Sequence, residues 1–202
     1  MFDKKVTDFN SASEPSKDWV FLAHDQLNDS FSLLQNNRPL ILIENHRYFS
    51  RRPYHKQKLA LVLTNQRNFA LEQAQKGRRV RYLITESSFE ESLLEATDDL
   101  EPESLTMMEA AEREMRAELA GLIETGDLKA VPHEGWLTSA EDMDAARTGN
   151  KWRMDRFYQH VRKRTGILMD AGSPRGGKYR FDPGNRKPWH GEPSAPTPPS
   201  FD

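Results

Sequence analysis

Residues 39–45 read PLILIEN, an unbroken apolar run of strand length that ends on a carboxylate and an amide, Glu44 and Asn45. A strand with one wet face alternates apolar and polar residues, so a continuous run predicts a strand covered on both faces, as in a parallel sheet. Upstream, WVFLA in WVFLAHDQL (19–27) has the same character and ends in His24, Asp25 and Gln26. Downstream, RVRYLIT (79–85), SLTMMEA (104–110) and DLKAV (127–131) continue the series.

The segments between these runs supply covering helices. HKQKLALVLTNQRNFALEQAQKG (55–77) sets Leu59, Val62, Leu63, Gln66, Phe69, Ala70 and Gln73 along one side and stops at Gly77, a residue type common just past a helix end. FEESLLEATDDL and EAAEREMRAELAGLIETG carry shorter helical patterns. Strands alternating with helices imply right-handed crossovers and an α/β fold: a doubly wound (Rossmann-like) open parallel sheet of about five strands with flanking helices.

Beyond Val131 the rhythm breaks. EGWLTSAEDMDAARTGN holds one short helix at best, and KWRMDRFYQHVRKRTGILMD a stronger one. GSPRGGKYRFDPGNRKPW has no helical periodicity, and HGEPSAPTPPSFD is proline-rich. The expected organisation is a polar leader (1–17), an α/β domain (18–135), a C-terminal helix with an extended, basic connecting loop (136–189) and a Pro-rich disordered tail (190–202).

A chain of 202 residues suffices for one domain with a real core plus an appendage. It has no cysteine, which excludes disulfides, thiolate catalysis and cysteine-ligated clusters within these residues. No run approaches the roughly 20 apolar residues of a membrane span, and the N-terminus lacks the apolar run of a signal peptide. A cytoplasmic protein with no membrane partner is the expectation. The formal net charge of -2 conceals an asymmetry, with 12 acidic and 2 basic residues from Glu86 to Glu118 but 11 Lys and Arg against 3 Asp from Lys151 to Trp189. Only the basic end is suited to meeting phosphates.

In an open parallel sheet, ligands bind at the carboxyl ends of the strands, near the point where strand order reverses. Asp25, Gln26, Glu44, Asn45, His46 and Glu109 fall there, and such donors and acceptors could hold a planar heterocycle. The competing reading is helix capping, by Asp25 and Asn28 in the first loop and by His55 at the start of the long helix. There is no G-x-G-x-x-G after the first strand and no G-x-x-x-x-G-K-[ST], and GSPRGGK, which follows a helix, is a weak phosphate signal. No H-E-x-x-H and no G-x-S-x-G occurs, so no catalytic or metal-ligating residue is assigned.

In the basic segment Lys151, Arg153, Arg175, Lys178, Arg180, Arg186 and Lys187 are interleaved with Trp152, Tyr158, Tyr179 and Trp189. Cations among aromatics suit DNA phosphates with unstacked bases, and equally the acidic face of another protein.

YHKQKLALVLTNQRNFA, with HDQL after the first strand, resembles the deoxyribodipyrimidine photolyase-related family, the bacterial photolyase and cryptochrome branch that carries an iron–sulfur cluster. WRMDRFYQHVRKRTGILMDAGSPRGGKYRFDPGNRKPW resembles the same family's helix and connecting loop, so the likeness covers roughly residues 18 to 189. The resemblance implies an N-terminal α/β domain for a light-harvesting antenna, a lumazine such as 6,7-dimethyl-8-ribityllumazine, joined to a helical domain that holds FAD and the cluster. It further implies that this chain carries the first domain and the connection, with FAD and cluster not expected here; either an FAD-bearing helical partner chain completes the photochemistry, or the chain is a truncated relative. Residue by residue it assigns chromophore contacts to Asp25, Gln26 and Glu44, to Tyr48 and Phe49 in the loop after the second strand, and to His55, Leu59 and Val62 on the facing helix. His24 stands where the family commonly has glycine, and Tyr48 is bulky, so both narrow the implied pocket. A homodimer would cover the surface that otherwise meets the helical domain.

Three readings fit the sequence. The first is a stand-alone antenna-type domain associated with light-dependent DNA repair or light sensing, not catalytic by itself. The second is a non-enzymatic DNA- or protein-binding module using residues 151–189, and the third a small nucleotide-processing enzyme on the same fold.

Overall fold

A computed structural model describes Phe2, Val6, residues 16–181, Pro188 and residues 190–198. Arg186, Lys187 and Trp189, with most of the expected leader and the last four residues of the tail, lie outside the described residues. The chain divides into two compact units, Met1–Leu137 and Thr138–Asp202.

The first unit is built on five parallel strands, β1 (Asp18–Phe21), β2 (Leu40–Asn45), β3 (Val80–Thr85), β4 (Ser104–Met108) and β5 (Lys129–Val131), in the order β3-β2-β1-β4-β5. The chain winds outward from β1 through β2 to β3, then crosses back to lay β4 and β5 on the other side. Strand order therefore reverses between β1 and β4, which makes this a doubly wound sheet.

Alternation along each strand feeds two cores. Trp19, Phe21, Ile41 and Ile43 face one layer, with Phe89, Leu93, Met115 and Leu119 from the helices α3 (Phe89–Thr97) and α4 (Arg113–Thr125). Val20, Leu22, Leu40 and Leu42 face the other, where Phe69, Ala70 and Ala74 come from α2 (Lys56–Gln75) and Leu33 and Leu34 from a 3-10 turn, Ser32–Asn37. Each fully buried large side chain contributes about 1.5–3 kcal/mol. Two-sided burial is why β2 reads as a continuous apolar run.

The helix boundaries follow local chemistry. The His55 side chain accepts from Gln57 N at 3.3 Å at the start of α2, the capping role weighed for it from sequence. Gly77, at φ +83°, turns the chain out of that helix. Buried Arg78 then donates to Leu34 O at 2.8 Å, Arg38 O at 2.7 Å and Gln73 Oε1 at 3.0 Å, tying the 3-10 turn to the end of α2. Ser88 and Glu91 form a reciprocal capping box on α3.

Two local expectations change. Tyr48 and Phe49 lie on a short helix, α1 (His46–Ser50), because the Asn45 side chain accepts from Tyr48 N at 2.8 Å and caps it. Asn28 caps no helix: its Oδ1 takes Ser30 N at 3.0 Å in a local turn, and Glu134, more than 100 residues away in sequence, accepts from Ser32 N at 2.8 Å and Leu33 N at 3.1 Å.

In the second unit, Asp142 joins α5 (Ala140–Ala145) to α6 (Met154–Thr165). Its carboxylate is 2% exposed and accepts from Arg164 at 2.6 and 2.7 Å and from His160 at 2.9 Å. The segment beyond α6 has no long element, as its lack of periodicity implies, but it folds back on itself. β6 (Met169–Asp170) pairs antiparallel with β7 (Ser173–Pro174), Arg175 N donates to Leu168 O at 2.9 Å, and Arg162 reaches the Leu168 carbonyl.

Candidate ligand site at the strand ends

Gln26 sits where the sheet reverses. Its side chain, on a residue 1% exposed, donates to Met108 O at 3.3 Å and Glu109 O at 3.0 Å and accepts from Ala23 N at 3.4 Å. The amide therefore stitches the end of β1 to the end of β4, and its hydrogen-bonding groups are taken by the protein itself. Asp25 beside it is exposed. Burial, with Asp25 and then Glu114 adding like charge, pushes the Glu112 carboxyl up, so this rim is acidic.

Glu44, at the end of β2, has no exposed side-chain surface. It accepts from Arg67 Nε at 2.7 Å, Tyr82 Oη at 2.6 Å and His46 Nε2 at 2.9 Å. Burial alone would raise its pKa, but the hydrogen bonds from Arg67, Tyr82 and His46 outweigh it and hold the carboxyl at about 2. Burial and the same carboxylate push the Tyr82 hydroxyl up, so it stays a donor. The Phe2 ring closes over this group, edge-on to Tyr82 at 4.8 Å and beneath the Arg67 guanidinium at 5.7 Å.

Tyr48 and Phe49 are 5% and 9% exposed. Their rings meet His24, at 6.1 and 5.1 Å, and continue through Phe89 at 5.2 Å from Tyr48 and Tyr54 at 6.0 Å from Phe49. Burial lowers the His24 pKa, Asp25 opposes this and Lys58 adds to it. Leu59 and Val62, half-buried, pack against the same core.

The open space lies one helical turn further along than the resemblance suggests. An opening of about 400 Å³ is lined by His24, Asp25 and Leu27 on one side and by Asn65, Asn68, Phe69 and Glu72 of α2 on the other. Of the eight expected contacts, Asp25 lines it, whereas Gln26, Glu44, Tyr48 and Phe49 are buried beneath the strand-end surface. Asn65, Asn68 and Glu72 were missed by the sequence reading, although they form a polar stripe at i, i+3 and i+7 beside an apolar one. Among the described residues no group of three or more His, Asp or Glu is placed to hold a metal ion, and no helix is long and apolar enough to cross a membrane.

The expected DNA- or partner-binding cations fall in the second unit. Arg153 and Arg180 share Asp155, at 2.7 and 2.9 Å, and Arg175 lies 3.9 Å from Asp170. Lys178 sits over the Phe181 ring at 5.1 Å, and Lys151 is exposed. Phe181 and Trp152 are 62% and 51% exposed.

The sheet is doubly wound, and its polar opening lies at the carboxyl ends of the strands, where open α/β sheets commonly take their ligands. The family model of the deoxyribodipyrimidine photo-lyase-related proteins matches residues 20–202, and the chain belongs to that family. It is 30% identical over 181 residues to the (6-4) photolyase of Agrobacterium fabrum (strain C58), a match covering 84% of this chain and 36% of that protein. The chain thus spans about a third of the length of that curated relative.

Proposed function

We propose that residues 18–135 form an antenna-type, chromophore-binding domain of a photolyase-related protein that serves light-dependent DNA repair or light sensing in the cytoplasm. The observation that carries this reading is family membership over nearly the whole chain, on a sheet whose strand ends leave a ligand-sized opening beside Asp25. The ligand class is a ribityllumazine, a flat ring with a hydroxylated chain. Asp25, Asn65 and Asn68 offer hydrogen-bond partners to that chain, and Leu27 and Phe69 an apolar wall. Glu44 acts indirectly, by holding Arg67 and the end of β2 in place. The light-driven chemistry belongs to FAD, which in this reading sits with the iron–sulfur cluster in a helical partner.

Titration of the protein into 6,7-dimethyl-8-ribityllumazine, followed by fluorescence anisotropy, tests this. Asp25→Ala and Asn68→Trp, which fills the opening, should each weaken binding by about tenfold, equivalent to about 1.4 kcal/mol, with circular dichroism unchanged. Absence of any saturable change with a folded protein sinks the reading.

A second reading rests on the exposed Phe181 and Trp152 beside cations: the second unit binds DNA, with bases stacking on these rings.

A further inference from the structure

Where α4 covers the outer strands, small residues leave a gap. Ala120 on the helix, Ala110 after β4 and Ala130 in β5 all line a cavity of about 390 Å³. Protein interiors are close-packed, and a void of this size between helix and sheet falls within the range of small-molecule pockets, roughly 300–1,000 Å³. Its floor is apolar and buried, with Met107 1% and Leu119 0% exposed, while Ile123, 38% exposed, stands at the open rim. It shares no lining residue with the opening beside Asp25.

The rim is charged. Arg116 is the one cation among the lining residues, and its Nη1 donates to Ala110 O at 2.9 Å and Ala111 O at 3.2 Å. Those bonds fix the guanidinium at the edge of the cavity without using its whole donor fork. Glu109 and Glu124 share the rim and oppose any anion not seated directly on the guanidinium, most strongly a multiply charged one such as a nucleotide polyphosphate.

We propose that this slot between α4 and β4–β5 binds a small, flat apolar molecule carrying one negative charge, with the body between Leu119, Met107 and the alanines and the anion at Arg116. The wall sets size, because a branched side chain in place of an alanine would fill the space the ring needs. Arg116 sets charge, because a planar fork suits one carboxylate or sulfonate.

Anilinonaphthalene sulfonate is a suitable anionic probe and phenylnaphthylamine its neutral counterpart, each titrated into the full chain by fluorescence. The native protein should take up the anionic probe saturably, one per chain. Ala120→Leu, which fills the slot, should weaken both probes by about tenfold or more, and Ala130→Val should do so if the first variant fails to fold by circular dichroism. Arg116→Gln, which keeps a donor for the two carbonyls, should weaken the anionic probe by about fivefold and leave the neutral one within about twofold. No saturable uptake, or uptake indifferent to both filling substitutions, overturns the site. Equal losses for the two probes in Arg116→Gln overturn the assignment of charge.

Discussion

The Glu44 carboxylate, with no surface of its own, is held by the Arg67 guanidinium, whose Nε lies 2.7 Å from it. One contact thereby fixes the carboxyl end of β2 to the middle of α2, the helix that supplies one wall of the opening beside Asp25. Arg67→Ala would leave a buried carboxylate with only Tyr82 and His46 as side-chain donors. The expected cost is about 3–5 kcal/mol in urea unfolding, and pairing the change with Glu44→Gln should recover part of it.

Acid should release the same group. The Glu44 carboxyl lies at about 2 in the folded protein against an ordinary 4.5. A depressed folded value means its contribution is fully present above pH 4.5 and is lost as pH falls from there towards 2. The contribution is on the order of 3 kcal/mol. Thermal melts of the native chain should steepen in their pH dependence across that window, and those of Glu44→Gln should not; parallel profiles would contradict the assignment.

Gln26 is expected to act as a structural stitch. Gln26→Ala strands the Met108 and Glu109 carbonyls at the switch point and should destabilise the first unit by about 1–3 kcal/mol. Amide exchange should accelerate at the ends of β1 and β4 first. If stability is unchanged while lumazine binding is lost, the residue contacts ligand instead.

DNA affinity, if it resides in the second unit, should depend on which cations are already engaged. Arg180 and Arg153 share Asp155, whereas Lys178 lies over the Phe181 ring. Lys178→Glu should therefore weaken oligonucleotide binding more than Arg153→Glu. Each phosphate contact removed should lower the salt slope by about 0.9 on duplex or about 0.7 on single-stranded DNA. Equal affinity for the native chain and a Lys178→Glu, Arg175→Glu double variant would rule this surface out.

The sheet was legible because its strands are buried on both faces: LILI in β2 and the apolar stripe of α2 leave little else to fold into. Residues joined across long separations were not. Gln26 meets the backbone carbonyls of Met108 and Glu109, 82 and 83 positions away, and Glu134 caps a turn about a hundred residues upstream, contacts that carry no local periodicity. Glu44 was legible as a polar residue at a strand end, but its partners Arg67 and Tyr82 become apparent only when α2 and β3 pack beside β2. The hairpin after α6 is set by pairwise bonds to Leu168, which no sequence pattern reports.

The central claim is that the strand ends hold a lumazine-type antenna, and the absorption and fluorescence spectrum of the freshly purified chain tests it most directly, before and after addition of 6,7-dimethyl-8-ribityllumazine. The account predicts a red-shifted, protein-bound lumazine band that Asp25→Ala diminishes. A folded protein whose spectrum is the plain sum of protein and free lumazine would contradict it.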